Sequence, residues 1–203
     1  MIQTEKINLY IPCKDDPIEW ENNDFTVIIG MNGSGKTLTL NAMKEYCLER
    51  NISYCDYHAP SALKDYENRI SAATPDNILF TIKALTMFSQ DLDIDIWAQH
   101  RYGRDFDFLS DHELAKEVLV LAGNGYSRMV LLILNALERP QASYYFIDGI
   151  EASLHITALS HIVPFMVRFV PDKKIVLTTR SPEVFNSYLT DQKIHNLCQV
   201  ISL

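Results

Sequence analysis

Residues 30–37 read Gly30-Met31-Asn32-Gly33-Ser34-Gly35-Lys36-Thr37. Before them stands Phe25-Thr26-Val27-Ile28-Ile29, a short β-branched apolar run. After them, Leu38 to Arg50 places Leu40, Met43 and Cys47 at helical spacing with no Gly or Pro. Strand, glycine-rich loop and helix in that order form a phosphate-binding P-loop. The loop amides and the helix N-terminus present aligned N–H dipoles to an anion. Gly30, Asn32, Gly33, Ser34 and Gly35 form the cradle, Lys36 reaches the outer phosphates, and the Thr37 hydroxyl is a ligand for magnesium.

Glycine is otherwise scarce. Seven in 203 residues is about half the usual frequency of roughly 7%. Three lie in this loop, two are Gly123 and Gly125, and Gly149 follows the apolar strand Tyr144-Tyr145-Phe146-Ile147 and its terminal Asp148. These three points are where the backbone is expected to approach a ligand. An acidic residue at the end of an apolar strand is what a P-loop needs to hold magnesium or its waters, so Asp148 joins Thr37 as the expected metal-binding pair. The implied ligand is a nucleoside triphosphate with Mg2+.

The rest of the chain frames that site. With 47% hydrophobic and 22% charged residues, the composition is globular, and the length suits one compact domain over 1–203. A net charge of −8 opposes a broad basic footprint, so nucleic acid is expected only through a partner. No apolar run is long enough to span a bilayer; Met129–Leu137 comes nearest. The opening residues Gln3, Thr4, Glu5 and Lys6 do not read as a signal peptide. Cys13, Cys47, Cys55 and Cys198 show no Cys-x-x-Cys pairing, which points to neither zinc nor disulfides and fits a reducing cytoplasm.

Further strands are expected at Ile7–Ile11, Ile52–Tyr57, Ile175–Thr179 and Gln199–Leu203, and helices at Asp111–Val120, Ser127–Leu137, Ile156–Phe169 (kinked at Pro164) and Pro182–Tyr188. Residues 61–108 are the least legible, with mostly helix over Asn77–Gln99. Asp91, Asp93 and Asp95 lack the glycine and glutamate of a calcium loop. Strand and helix alternate through much of the chain, predicting an α/β fold with a mainly parallel central sheet flanked by helices. Trp20 and Phe25 are candidates to stack on a base, against the commoner role of buried aromatics.

Gly-x-Asn-Gly-Ser-Gly-Lys-Thr followed by Ile147-Asp148-Gly149-Ile150-Glu151-Ala152-Ser153-Leu154-His155 and Thr178-Thr179-Arg180-Ser181-Pro182 resembles the ABC-type ATPases. The likeness is to the soluble branch of DNA-repair, chromosome-maintenance and overcoming-lysogenisation-defect ATPases. It covers roughly residues 25–50 and 120–190. It implies a P-loop NTPase fold whose mainly parallel central sheet carries an N-terminal antiparallel portion, and an ATP-dependent homodimer, or a hetero-assembly with an effector protein, in a setting such as DNA maintenance or phage defence. Gly125 would face the partner's nucleotide in place of the family's signature loop.

Three departures bear on activity. Gly149 stands where the family has its catalytic glutamate, Arg180 where it has a switch histidine, and Ala122-Gly123-Asn124-Gly125 where it has Leu-Ser-x-Gly. A glutamine-bearing loop is also missing from Ile52–Pro60, with His58, Gln90 and Gln99 as substitutes. Two readings follow. Hydrolysis could be relocated, with Glu151 or His155 orienting water and Arg180 stabilising charge. Alternatively, ATP serves as an assembly switch with slow or absent hydrolysis, which is the favoured expectation because losing a general base costs about 10²–10⁴-fold. A different class, a small P-loop phosphotransferase with Arg104 or Arg180 in a lid, suits the length but leaves the segment from Ile147 to His155 unexplained.

Overall fold

The computed structural model describes residues 5–58, 66–88, 111–121, 124–153, 166, 173–185 and 198–203. The chain is α/β. Five strands, β3 (Phe25–Ile29), β4 (Tyr54–His58), β5 (Tyr144–Asp148), β6 (Lys174–Thr179) and β7 (Cys198–Ser202), form a wholly parallel sheet in the order β4-β5-β6-β3-β7. Two short strands, β1 (Ile7–Leu9) and β2 (Ile18–Trp20), pair antiparallel in a separate sheet. Contacts divide the chain into two compact units, residues 1–59 with 139–203, and residues 60–138.

In the first unit, period-2 alternation sorts each strand's side chains onto two faces. Ile28, Tyr144, Phe146, Val176 and Ile201 share one face and pack in a single core with Leu40, Met43, Tyr46 and Cys47 of helix α1 (Lys36–Glu49). Ile7, Leu9, Ile18 and Trp20 of the antiparallel pair enter the same core. The opposite face is buried too, with Phe25, Val27, Cys55, Tyr57, Tyr145, Ile147, Ile175 and Leu177 almost inaccessible. Burial on both faces explains why these strands read as continuous apolar runs.

The end of α1 accounts for one shifted boundary. Asn51 takes a left-handed φ of 54°. Its N–H donates to Leu48 O at 3.1 Å, and that of Ile52 to Cys47 O at 2.8 Å. These are the two bonds of a Schellman cap, with Ile52 folded back on the core beside Cys47. Ile52 therefore closes the helix, and β4 begins at Tyr54 rather than at Ile52. The first strand likewise stops at Leu9, short of the expected Ile11. β2 was not foreseen, because three residues between Pro17 and a turn show too little alternation to register. That turn is pinned at Asn22 (φ 52°), whose main-chain and side-chain oxygens each accept from Lys174 Nζ at 2.9 Å.

The second unit is helical: α2 (Tyr66–Ala72), α3 (Pro75–Phe88), α4 (Asp111–Leu121) and α5 (Asn124–Glu138). Thr74 caps α3, its hydroxyl accepting Asn77 N–H at 3.3 Å, with Pro75 in the first helical position. This cap starts the helix two residues before the expected Asn77. Tyr66 donates to Leu119 O at 2.5 Å, and Arg69 bonds Asn135 at 2.9 Å and Glu138 at 2.5 Å, tying α2 to α4 and α5. Met129 to Leu134 are all buried, so this part of α5 is enclosed on every side.

Helix α5 begins at Asn124, so Gly125 lies in its first turn rather than in the loop the sequence suggested. Residues 182–185 form one 3-10 turn in place of the start of an α-helix. Of the expected helix 156–169 only Met166 is described, and it is helical; Pro164, the Asp91–Asp95 stretch, Arg104, Gln90, Gln99 and His155 lie outside the described residues. Among the described residues, no helix is long and apolar enough to cross a membrane.

Candidate functional site

The parallel register brings three strand ends together. β3 leads into Gly30, β5 ends at Asp148, and β6 leads into Arg180, with β6 hydrogen-bonded between the other two. Open α/β sheets bind ligands at the carboxyl ends of their strands.

The P-loop is fastened at both ends. Gly30 N–H donates to Thr179 O at 3.3 Å, and Ser34 N–H turns back to Met31 O at 3.2 Å. Gly35 caps α1 with a left-handed φ of 100°. A side chain there would also collide with Cys13 Sγ at 2.8 Å and crowd Ile11 at 3.1 Å. Gly35 O accepts from both the N–H and the hydroxyl of Thr39, at 2.9 and 3.0 Å. The first helical turn, from Lys36 on, starts with N–H groups that lack an intrahelical acceptor. The Lys36 ammonium folds over the loop and donates to Gly30 O and Met31 O, each at 2.7 Å. Met31, Asn32, Gly33 and Thr37 face solvent.

Thr37 meets Asp148 across 111 residues of sequence. Its hydroxyl donates to Asp148 Oδ2 at 3.0 Å. The other carboxylate oxygen, Oδ1, lies 2.5 Å from the hydroxyl of Thr178. Strand alternation puts Asp148 and Thr178 on the α1 face of the sheet, where Asp148 meets Thr37 in the first turn of that helix and Thr178 meets Asp148. Among the described residues, no group of three or more His, Cys, Asp or Glu gathers as a metal site.

Gly149 has a left-handed φ of 63°, and nothing among the described residues lies within 4 Å of where its Cβ would stand. The position is open in space but restrictive in backbone. Its N–H donates to Thr178 Oγ1 at 2.8 Å. The chain then enters a 3-10 turn over Ile150–Ser153. Glu151, only 12% exposed at its side chain, turns toward β6: Oε1 accepts Arg180 N–H at 3.2 Å and lies 3.6 Å from Arg180 Nε. Glu151 Oε2 is buried with no hydrogen-bond partner, as is Ser34 Oγ, and these are the two such atoms among the described residues. The Arg180 side chain is 60% exposed. Beyond it, the Ser181 hydroxyl bonds Glu183 and holds that carboxyl below its usual range.

The structure thus gathers Gly30, Asn32, Gly33, Ser34, Gly35, Lys36, Thr37, Asp148, Glu151 and Arg180 at one end of one sheet. Gly125 belongs to the helical unit. The two proposed stacking aromatics are unavailable: Trp20 is 0% and Phe25 1% exposed. Trp20 packs edge-on against Tyr46 and Tyr144 and donates to Thr26 Oγ1 at 3.2 Å. A fully buried indole needs both an apolar shell and a partner for its N–H, and this core supplies them. Sequence reasoning overlooked Thr178 and Cys13. No local sequence pattern announced either contact: Thr178 meets Asp148 only because β6 lies beside β5, and Cys13 approaches Gly35 only through the fold. The chain matches no protein-family model and no curated protein.

Proposed function

We propose that this chain is a P-loop protein of ABC-ATPase type that binds a magnesium nucleoside triphosphate, ATP by resemblance, at the end of its parallel sheet. One observation carries the reading: the 3.0 Å contact between Thr37 of the loop and Asp148 at the end of β5. A hydroxyl and a carboxylate so placed are hard oxygen donors, and magnesium takes one or two such protein ligands with phosphates and water completing its octahedron. The residues also fit a triphosphate. Lys36 rests on two carbonyls of its own loop, from which it can swing to a phosphate, and the buried Ser34 hydroxyl lacks a partner. Bound magnesium would neutralise charge between the outer phosphates; Asp148 and Thr37 orient it, and the loop amides hold the anion.

Nucleotide closes two copies head to tail, or one copy on an effector protein, with Gly125 opposite the partner's nucleotide; this part rests on the sequence resemblance. Hydrolysis is slow or lost, since position 149 has no side chain and Glu151 is already bonded to Arg180. The test is equilibrium binding of a fluorescent ATP analogue with Mg2+, combined with light scattering for mass. Saturable binding is expected, weakened about 10–100-fold in Lys36→Ala, the value of a charged hydrogen bond, together with a nucleotide-dependent rise in mass. A wild type with no saturable binding sinks the reading. Transfer of phosphate from ATP to a small-molecule acceptor would replace it with the phosphotransferase alternative.

A further inference from the structure

Asp148 is gripped on both carboxylate oxygens, and one grip comes from outside the P-loop. Thr178 is 0% exposed, in a strand whose neighbouring positions are Val176, Leu177 and Thr179. Burying a hydroxyl is costly unless it is bonded, and valine would fill the same volume. The hydroxyl is bonded twice: it receives Gly149 N–H at 2.8 Å and lies 2.5 Å from Asp148 Oδ1.

A threonine hydroxyl has one proton, and an ionised carboxylate only accepts. With Gly149 donating into Thr178, the hydroxyl proton is directed at Asp148 Oδ1. The chain of bonds therefore has one sense, from Gly149 N–H through Thr178 O–H to Asp148. It leaves Oδ2 turned toward Thr37.

We propose that Thr178 is a positioning residue for the divalent cation: it fixes the carboxylate plane of Asp148 so that Oδ2 and the Thr37 hydroxyl converge on one ion, and it locks the left-handed Gly149 turn to the same anchor. This rests on the reading of the site as one for a magnesium nucleotide. The role is indirect, because Thr178 touches neither the ion nor the phosphates. Removing an outer partner of a metal-ligating carboxylate typically weakens metal affinity 10–100-fold.

The experiment titrates Mg2+ into the full chain with a fluorescent ATP analogue, for wild type, Thr178→Val, Thr178→Ser and Lys36→Ala. In Thr178→Val the Mg2+ concentration at half-saturation rises about 10–100-fold, while nucleotide affinity without Mg2+ stays within about twofold of wild type. Thr178→Ser, which keeps the hydroxyl, behaves as wild type. Lys36→Ala loses affinity with and without Mg2+. If Thr178→Val does not fold, Thr178→Ala replaces it in the same titration with the same expectation. An unchanged Mg2+ midpoint in the hydroxyl-free variant, with wild type binding normally, overturns the proposal and leaves the site reading intact. A serine variant as impaired as the valine variant also overturns it. A wild type that binds no nucleotide overturns both.

Discussion

Arg180 and Glu151 are joined twice at the mouth of the site: the Arg180 N–H donates to Glu151 Oε1 at 3.2 Å, and the Arg180 Nε lies 3.6 Å from the same oxygen. The turn after β6 is thereby clasped to the turn after β5. The second oxygen of Glu151 is buried with no hydrogen-bond partner among the described residues, which leaves it an acceptor for a proton or for a water hydrogen. Any residual ATP turnover is therefore expected to depend on it. Glu151→Gln should reduce turnover about 10²–10⁴-fold and leave nucleotide affinity within about twofold. Turnover that survives the change intact places the base elsewhere. Arg180→Ala removes the 3.6 Å ion pair but keeps the N–H bond to Glu151, and because the arginine side chain is 60% exposed the change should shift unfolding free energy by about 1 kcal/mol or less.

Gly149 yields a prediction about the backbone alone. With no atom of the described residues within 4 Å of a new Cβ, Gly149→Ala is expected to cost chiefly its left-handed φ of 63°, about 1–2 kcal/mol. Gly149→Asn should cost less, since asparagine tolerates that region. Urea unfolding of the two variants checks the order. Gly35→Ala should be the more damaging change, because the same backbone restriction is joined by contact with Cys13 and Ile11. A Gly35 variant as stable as the Gly149 variant would contradict the packing described.

Trp20 separates core from ligand contact. Trp20→Phe removes the N–H that satisfies Thr26 and leaves a void against Tyr46 and Tyr144. A loss of about 1–3 kcal/mol in stability is expected, with no change in nucleotide affinity. Weakened binding at unchanged stability would return Trp20 to the base-stacking role.

Alkaline pH should destabilise the first unit. Burial pushes the Cys47 thiol up to about 11 and that of Cys198 to about 12, from an ordinary 9.0, and the Tyr145 phenol to about 12 from 10.0. Each folded-state value is raised, so the neutral forms favour folding. Their contribution is complete below the unfolded value and is lost as pH climbs toward the folded one. The thermal midpoint should fall progressively from pH 9 to pH 11, and less steeply in Cys47→Ala. The buried Cys47, Cys55 and Cys198 should resist thiol reagents in the native protein, while the exposed Cys13 reacts first.

The sequence by itself determined the strand, glycine-rich loop and helix around residues 25–50, the strand ending in Asp148, and the parallel α/β character. Each of these is written in contiguous residues: β-branched runs, helical spacing and glycine where the backbone turns left-handed. It also singled out Glu151 and Arg180, though without showing that they touch. Tertiary structure alone decided the strand order, the pairing of Thr37 with Asp148, the second grip on that carboxylate by Thr178, and the burial of Trp20. The reason is that sheet register and face sharing join residues far apart in the chain. Thr178 reaches Asp148 because β6 lies beside β5 and both side chains point to the α1 face, a coincidence of neighbours that no local pattern records.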